Sequence, residues 1–193
     1  MSDNTTLRNL IHLRSFSRQR VSSHDPTGGN SDSIRILPGE KKIIFDESGP
    51  GCITHIWSTQ TCSSAPFFPR HLIMRIWWDD ETTPSVECPF SDFFGLGHGE
   101  RQNFVSAPLQ MSPEKGTGFN CWFPMPFKTH ARIELENDNP TSKIPDANRP
   151  LHKVPGMMIY YYIDFERYTE WKEDPRTPIG YFHTQFRRKD YYP

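Results

Sequence analysis

The chain has 193 residues, enough for one domain with a buried core or for two small ones. Its 22 basic and 23 acidic residues leave a formal net charge of −1, which excludes the strongly basic face of a nucleic-acid binder. No apolar run reaches the ~20 residues of a membrane span, and the 14 Phe, 7 Tyr, 5 Trp and 18 Pro favour short strands joined by proline-rich loops over a helical bundle.

The first predicted element is a helix between Asn4 and Leu13, where Leu7, Leu10, Ile11 and Leu13 share a face and Ser2 or Asp3 serves as N-cap. This opening stretch lacks the apolar centre and small-residue cleavage site of a secretory signal. Cys52, Cys62, Cys88 and Cys121 form no C-x-x-C pair, so no zinc site is expected. A reduced, cytoplasmic protein without metal or cofactor is the expectation.

The stretch "SSHDPTGGNSDS", Ser22 to Ser33, holds a histidine, two aspartates, a Pro-Thr-Gly-Gly turn and an asparagine. An Asx-type turn on Asp25-Pro26 with Gly28-Gly29 accounts for it, and so does a loop that binds a polyol. Strands are then predicted at "KKIIFD", "CITHIWST", "HLIMRIWW", "FNCWFPM", "HARIELEND" and "MMIYYYIDF". In "HARIELEND", Ala131, Ile133 and Leu135 alternate with His130, Arg132, Glu134 and Glu136, the pattern of a strand with one wet face. Two of the runs are apolar almost throughout, which predicts cover on both faces. Asp79, Asp80 and Glu81 read as a solvated turn, and "DNPTSKIPDANRPLHKVPG" as a long surface loop.

The segment "VECPFSDFFGLGHGERQN" places Glu87 and Asp92 beside Phe93 and Phe94, followed by Gly95, Gly97 and Gly99 around His98. Two carboxylates at an aromatic platform are what a glycosidase needs, and dense glycines let backbone approach a ligand. A plain glycine-rich loop is the competing reading. No nucleophile elbow, paired Cys and His, or dinucleotide fingerprint is present. Many short strands without interleaved helices predict a β-sandwich of the jelly-roll kind over residues 33–166.

Six motifs follow one another in order: "SRQRVSSHDPTGGNSDSIRILPGE", "GPGCITHIW", "MRIWWDDETTPSVECPFSDFFGLGHG", "APLQMSP", "FNCWFPMPF" and "YYYIDFE". Together they closely resemble the N-terminal half of glycoside hydrolase family 172, formerly a domain-of-unknown-function family. The resemblance runs from about Ser17 to the end, where "GYFHTQFRR" is similar to the family's aromatic-histidine-glutamine segment. It implies two tandem jelly rolls, the first of them in this chain. The expected fold is therefore all-β: an N-terminal helical segment (residues 1–20), a single jelly-roll β-sandwich (21–166) and a connector toward a second roll (167–193). Trimers that pair into hexamers are implied as well.

The implied activity is retaining cleavage or transfer of furanosides, of the α-fructofuranosidase, difructose-dianhydride synthase/hydrolase and D-arabinofuranosidase types. The family's nucleophile and acid/base glutamates belong to a Gly-Glu-Gly-Asp and a Thr-Glu-Asp-Tyr stretch. This sequence contains neither, so the resemblance names no catalytic residue here, and Glu87 and Asp92 are not carried over. It implies instead two substrate-proximal loops. In one, Asp25 and Asn30 would meet furanose hydroxyls while Gly28 and Gly29 let the backbone approach; in the other, Asp92 and His98 would do so, with Phe94 or Trp57 as an apolar wall. A chain of this kind is expected to bind a furanoside and to be inactive alone. The alternative is a stand-alone jelly-roll module for carbohydrate binding or assembly, whose tail aromatics Tyr181, Phe182, Phe186, Tyr191 and Tyr192 need a partner.

Overall fold

A computed structural model of the chain describes residue 11 and residues 13–61, 68–139 and 156–187. The expected N-terminal helix and most of the 138–156 loop lie outside these residues. Among the described residues, thirteen strands form two facing sheets, an all-β sandwich.

Sheet A contains β1 (Ser17–Ser22), β2 (Ile34–Ile36), β4 (Gly51–Thr61), β7 (Phe104–Val105), β8 (Leu109–Met111), β9 (Gly118–Cys121), β10 (Met125–Phe127) and β12 (Met157–Arg167). Its order is β1-β12-β4-β9-β8-β7. β2 continues the line of β1 along β12, and β10 continues the line of β9 along β4. The single strand expected at "FNCWFPM" is therefore one line broken at Trp122, Phe123 and Pro124. Three residues there oppose only Thr54 and His55, and Pro124 has no N–H to offer the ladder.

Sheet B runs β13 (Thr184–Gln185), β6 (Val86–Pro89), β5 (Leu72–Trp78), β11 (His130–Asn137), β3 (Lys41–Ser48). All its pairs are antiparallel except β13 on β6. A short helix α1 (Phe90–Phe93) leaves the end of β6. Residue 20 lies inside β1, and residues 184–185 of the tail join sheet B. No helix among the described residues is long and apolar enough to cross a membrane.

The core lies between the sheets, where period-two alternation sends one set of side chains inward. Leu72, Met74, Ile76 and Trp78 of β5 face Ile53 and Ile56 of β4 and Ile159, Ile163 and Phe165 of β12, all essentially sealed from solvent. Each large apolar side chain so buried contributes about 1.5–3 kcal/mol. Phe45 meets Phe127 and Phe165 edge to face.

Two sequence expectations about the outer faces are corrected. β5 and β12 are not covered on both sides, since the outward residues of β5 and most of those of β12 remain partly exposed. Conversely, the outer face of β11 is not simply wet. Glu134 is buried, and with Glu136, Arg132, Arg75 and Lys41 it forms a layer of ion pairs over the sheet. The acidic turn is also more than solvated. Asp79 and Asp80 adopt positive φ, and one Asp79 carboxylate oxygen accepts the backbone N–H groups of Lys128, Thr129 and His130.

Candidate functional site

Ser22 ends β1, and from there the first loop folds back on a single carboxylate. Asp25 Oδ1 accepts the Thr27 backbone N–H (2.9 Å) and hydroxyl (2.7 Å), while Oδ2 accepts the Ser31 N–H (3.1 Å). Asp32 in turn accepts the Asp25 N–H at 2.8 Å. The Thr27 hydroxyl and the surrounding N–H groups hold the Asp25 carboxyl below its ordinary range. Gly28 and Asn30 take positive φ, and a Cβ on Gly29 would sit 2.8 Å from Asp25 Oδ2. The turn reading thus accounts for Asp25, Gly28 and Gly29, and the side of the loop open to a ligand is its backbone and Asn30.

The second loop extends from the other sheet. Asp92, on α1, accepts a hydrogen bond from Arg70 at 2.7 Å. Phe94, expected as a ligand wall, is fully buried among Phe90, Phe93 and Phe119 and is a core ring. Trp57 lies on the outer face of sheet A, stacked on Tyr162. The His98 side chain lies outside the described residues, while Gly95 and Gly99 hold the positive φ that the turns require. Among the described residues, no hydrogen bond or ion pair joins this loop to the Asp25 loop.

What the structure brings together instead is a cavity of ≈ 820 Å³ on the outer face of sheet B. Its floor is Arg75 of β5, which donates from Nε to Glu87 of β6 at 3.2 Å and from a terminal nitrogen to Glu136 of β11 at 2.5 Å. These contacts follow from register: Arg75 stands opposite Glu87 on one side and Glu134 on the other. Burial opposes the charge on Glu136, but Arg75 and Lys41 outweigh it and hold the carboxyl below its ordinary range. Asp92 reaches the rim through Arg70, whose guanidinium also lies over the Phe186 ring at 5.4 Å. The wall opposite comes from the tail, as Gln185 and Phe186.

The tail is held there by the sandwich itself. Trp78 Nε1 donates to the Phe182 carbonyl at 2.7 Å, Tyr181 hydrogen-bonds Asp79, and the Phe182 ring sits against Phe93 and Phe123. The Phe186 N–H then donates to the Glu87 carbonyl at 3.1 Å. Tyr181, Phe182 and Phe186 therefore have partners within the chain; Tyr191 and Tyr192 lie outside the described residues.

Chemically, the cavity offers carboxylates, guanidinium groups, a carboxamide and one aromatic ring. That set suits a hydroxyl-rich ligand, and each guanidinium is already held by an acid. A general acid at neutral pH needs a raised pKa, and Glu136, held below its ordinary range by Arg75 and Lys41, does not meet that need. Burial, then the charges of Asp92 and Glu87, push the Cys88 thiol in the cavity wall up to about 12, which removes it as a nucleophile. Among the described residues no group of three or more His, Cys, Asp or Glu is placed to hold a metal ion.

Sequence reasoning found Glu87 and Asp92 but missed Arg70, Arg75, Glu136, Gln185 and Phe186. The available signal was the quoted motifs themselves, since "MRIWWDD", "VECPFSDFF" and "GYFHTQFRR" each send a residue to the cavity or its rim.

No curated protein matches the chain. A family model described as GH172 domain-like matches residues 28–147, a span that includes Arg70, Arg75, Glu87, Asp92 and Glu136. Covering more than half of the sequence, this match shows that the chain belongs to the GH172 domain-like family, a glycoside-hydrolase relationship.

Proposed function

We propose that this chain is the substrate-shaping jelly-roll half of a retaining, furanoside-acting glycoside hydrolase, of the α-fructofuranosidase or D-arabinofuranosidase type. It binds a furanoside and does not cleave it alone. The observation that carries the reading is the charge-compensated cavity, where Glu87 and Glu136 share Arg75 and Asp92 is held by Arg70. A retaining mechanism needs two carboxyl groups about 5 Å apart, and the Gly-Glu-Gly-Asp and Thr-Glu-Asp-Tyr stretches that the family resemblance implies for them are absent from this sequence. Asn30 and the backbone at Gly28 and Gly29, with the second loop around His98, are further ligand contacts in this reading. The working assembly is a trimer or hexamer. The location is cytoplasmic, a reading supported by three free, buried thiols at Cys52, Cys88 and Cys121.

The test is turnover of para-nitrophenyl α-fructofuranoside and arabinofuranoside by the purified chain, alongside calorimetry with the same sugars. Binding without product release is expected. Turnover that disappears in Glu87→Gln or Asp92→Asn would sink the proposal.

One observation favours a second reading, a stand-alone carbohydrate-binding or assembly module. The tail docks on its own sandwich through Trp78 and Asp79, so the described fold closes without a second roll. Light scattering with calorimetry tests this reading: a monomer that takes up no sugar counts against the module.

A further inference from the structure

The outer face of sheet A carries an ordered array of rings that the cavity on sheet B does not use. Cross-strand register sets Arg20 of β1, Tyr162 and Asp164 of β12, His55 and Trp57 of β4 and Asn120 of β9 side by side. Trp122 follows two residues after Asn120 and shares its face. With neighbouring strands ~4.8 Å apart, four lines of chain span roughly 14 Å.

Two ladders run across this surface. In the first, the Arg20 guanidinium lies 4.7 Å from the Tyr162 ring, and Tyr162 stacks on Trp57 at 4.9 Å. Arg20 and Trp57 thus both pack on Tyr162, which remains 40% exposed. In the second, Trp122 lies parallel to His55, with centroids 5.0 Å apart and planes 7° apart. His55 is fixed from both nitrogens, 3.3 Å from Asp164 and 3.1 Å from Asn120. The indole of Trp122 is thus oriented from beneath, and the residue remains 39% exposed.

We infer that this face is a second carbohydrate site, in which a sugar ring of a neutral glycan stacks on Trp122 while Asn120, Arg20 and the Tyr162 hydroxyl meet its hydroxyl groups. The inference rests on the glycoside-hydrolase reading for its ligand class. Charge decides against a charged polymer: Arg20 makes a bidentate pair with Asp164 at 2.6 and 3.0 Å, so the array presents hydrogen-bonding groups without a net charge. An aromatic plane that is already immobilised binds a sugar without a further ordering cost to its own side chain. A site here would hold a chain of sugars on the sheet opposite the cavity.

The experiment is titration of the full chain with an inulin-type pentasaccharide and a linear arabinofuranosyl pentasaccharide, read by calorimetry and by indole emission. W122A is expected to weaken binding at least tenfold. W122F, which keeps a ring on His55 and so guards against misfolding, is expected to bind while losing most of the sugar-induced emission change. Q185A in the cavity wall separates the two sites. If W122A binds as the native chain does and only Q185A weakens binding, the platform is overturned and the cavity reading stands. If only W122A weakens it, the platform holds and the cavity reading fails. No binding by the native chain overturns the platform, as does a dimer that W122A dissociates and that takes up neither sugar, for then the face belongs to a second copy.

Discussion

Trp78 and Phe182, 104 residues apart in sequence, are joined by an indole N–H to carbonyl hydrogen bond of 2.7 Å. This bond helps tie the last described segment to sheet B. Together with the Tyr181–Asp79 hydrogen bond and the β13–β6 pairing it lets Gln185 and Phe186 stand as one wall of the cavity.

Trp78→Phe keeps an aromatic ring in the core but removes the indole N–H donor together with part of the buried ring volume. The Phe182 carbonyl then loses its partner, at about 1–2 kcal/mol. Limited proteolysis should cut between residues 179 and 187 faster than in the native chain, while the sandwich still melts cooperatively.

Arg75→Met leaves Glu87, Glu134 and Glu136 facing one another without their shared cation. A loss of about 2 kcal/mol is expected in denaturant unfolding. The Glu136 carboxyl, now held down only by Lys41, should titrate higher by NMR, and furanoside binding should weaken with it.

His130 bridges two acids, with Nδ1 2.5 Å from Asp80 and Nε2 2.6 Å from Asp46. Partial burial disfavours its charge, but the two carboxylates outweigh this and raise its pKa. Its contribution to stability is therefore complete below the ordinary imidazole value of ~6.5 and fades as pH rises through the higher folded value. Asp79, Glu136 and Asp164 are lowered despite burial, so their contributions are complete above their ordinary values of ~4 and are lost as pH falls. Stability should peak between these limits. His130→Gln should flatten the alkaline limb and leave the acid limb intact, read from denaturant midpoints between roughly pH 5 and pH 9.

Gly51→Ala tests the close approach of β4 to its neighbours. A Cβ there would lie 2.6 Å from the Phe127 ring and 2.7 Å from the Glu166 carbonyl, and the carbonyl belongs to the β12 ladder and cannot swing away. A destabilisation of about 3 kcal/mol is expected by thermal or chemical unfolding.

The strands that could be read in advance were those whose alternation reflects burial on one side. Ala131, Ile133 and Leu135 are inward as their spacing requires, "KKIIFD" and "CITHIWST" each fall within one strand, and "HLIMRIWW" does so from Leu72 onward. β1 was illegible because "SRQRVS" is polar nearly throughout; it is an edge strand placed by its ladder with β12, not by an apolar face. The cavity was illegible for a related reason. Arg75, Glu87, Glu136 and Gln185 are far apart in sequence, and the pairing of β5 with β6 and β11, and of β13 with β6, makes neighbours of them. Phe94 failed in the opposite direction. Its place beside glycines suggested a surface loop, but α1 turns it into the core.

Thr184 and Gln185 run alongside β6 as a two-residue strand, and both keep contact with solvent. This makes the rim of the cavity an interchangeable part. A new sequence at Thr184, Gln185 and Phe186 would give the mouth a different shape and chemistry, and the interlocked aromatic interior beneath it would not have to be rebuilt.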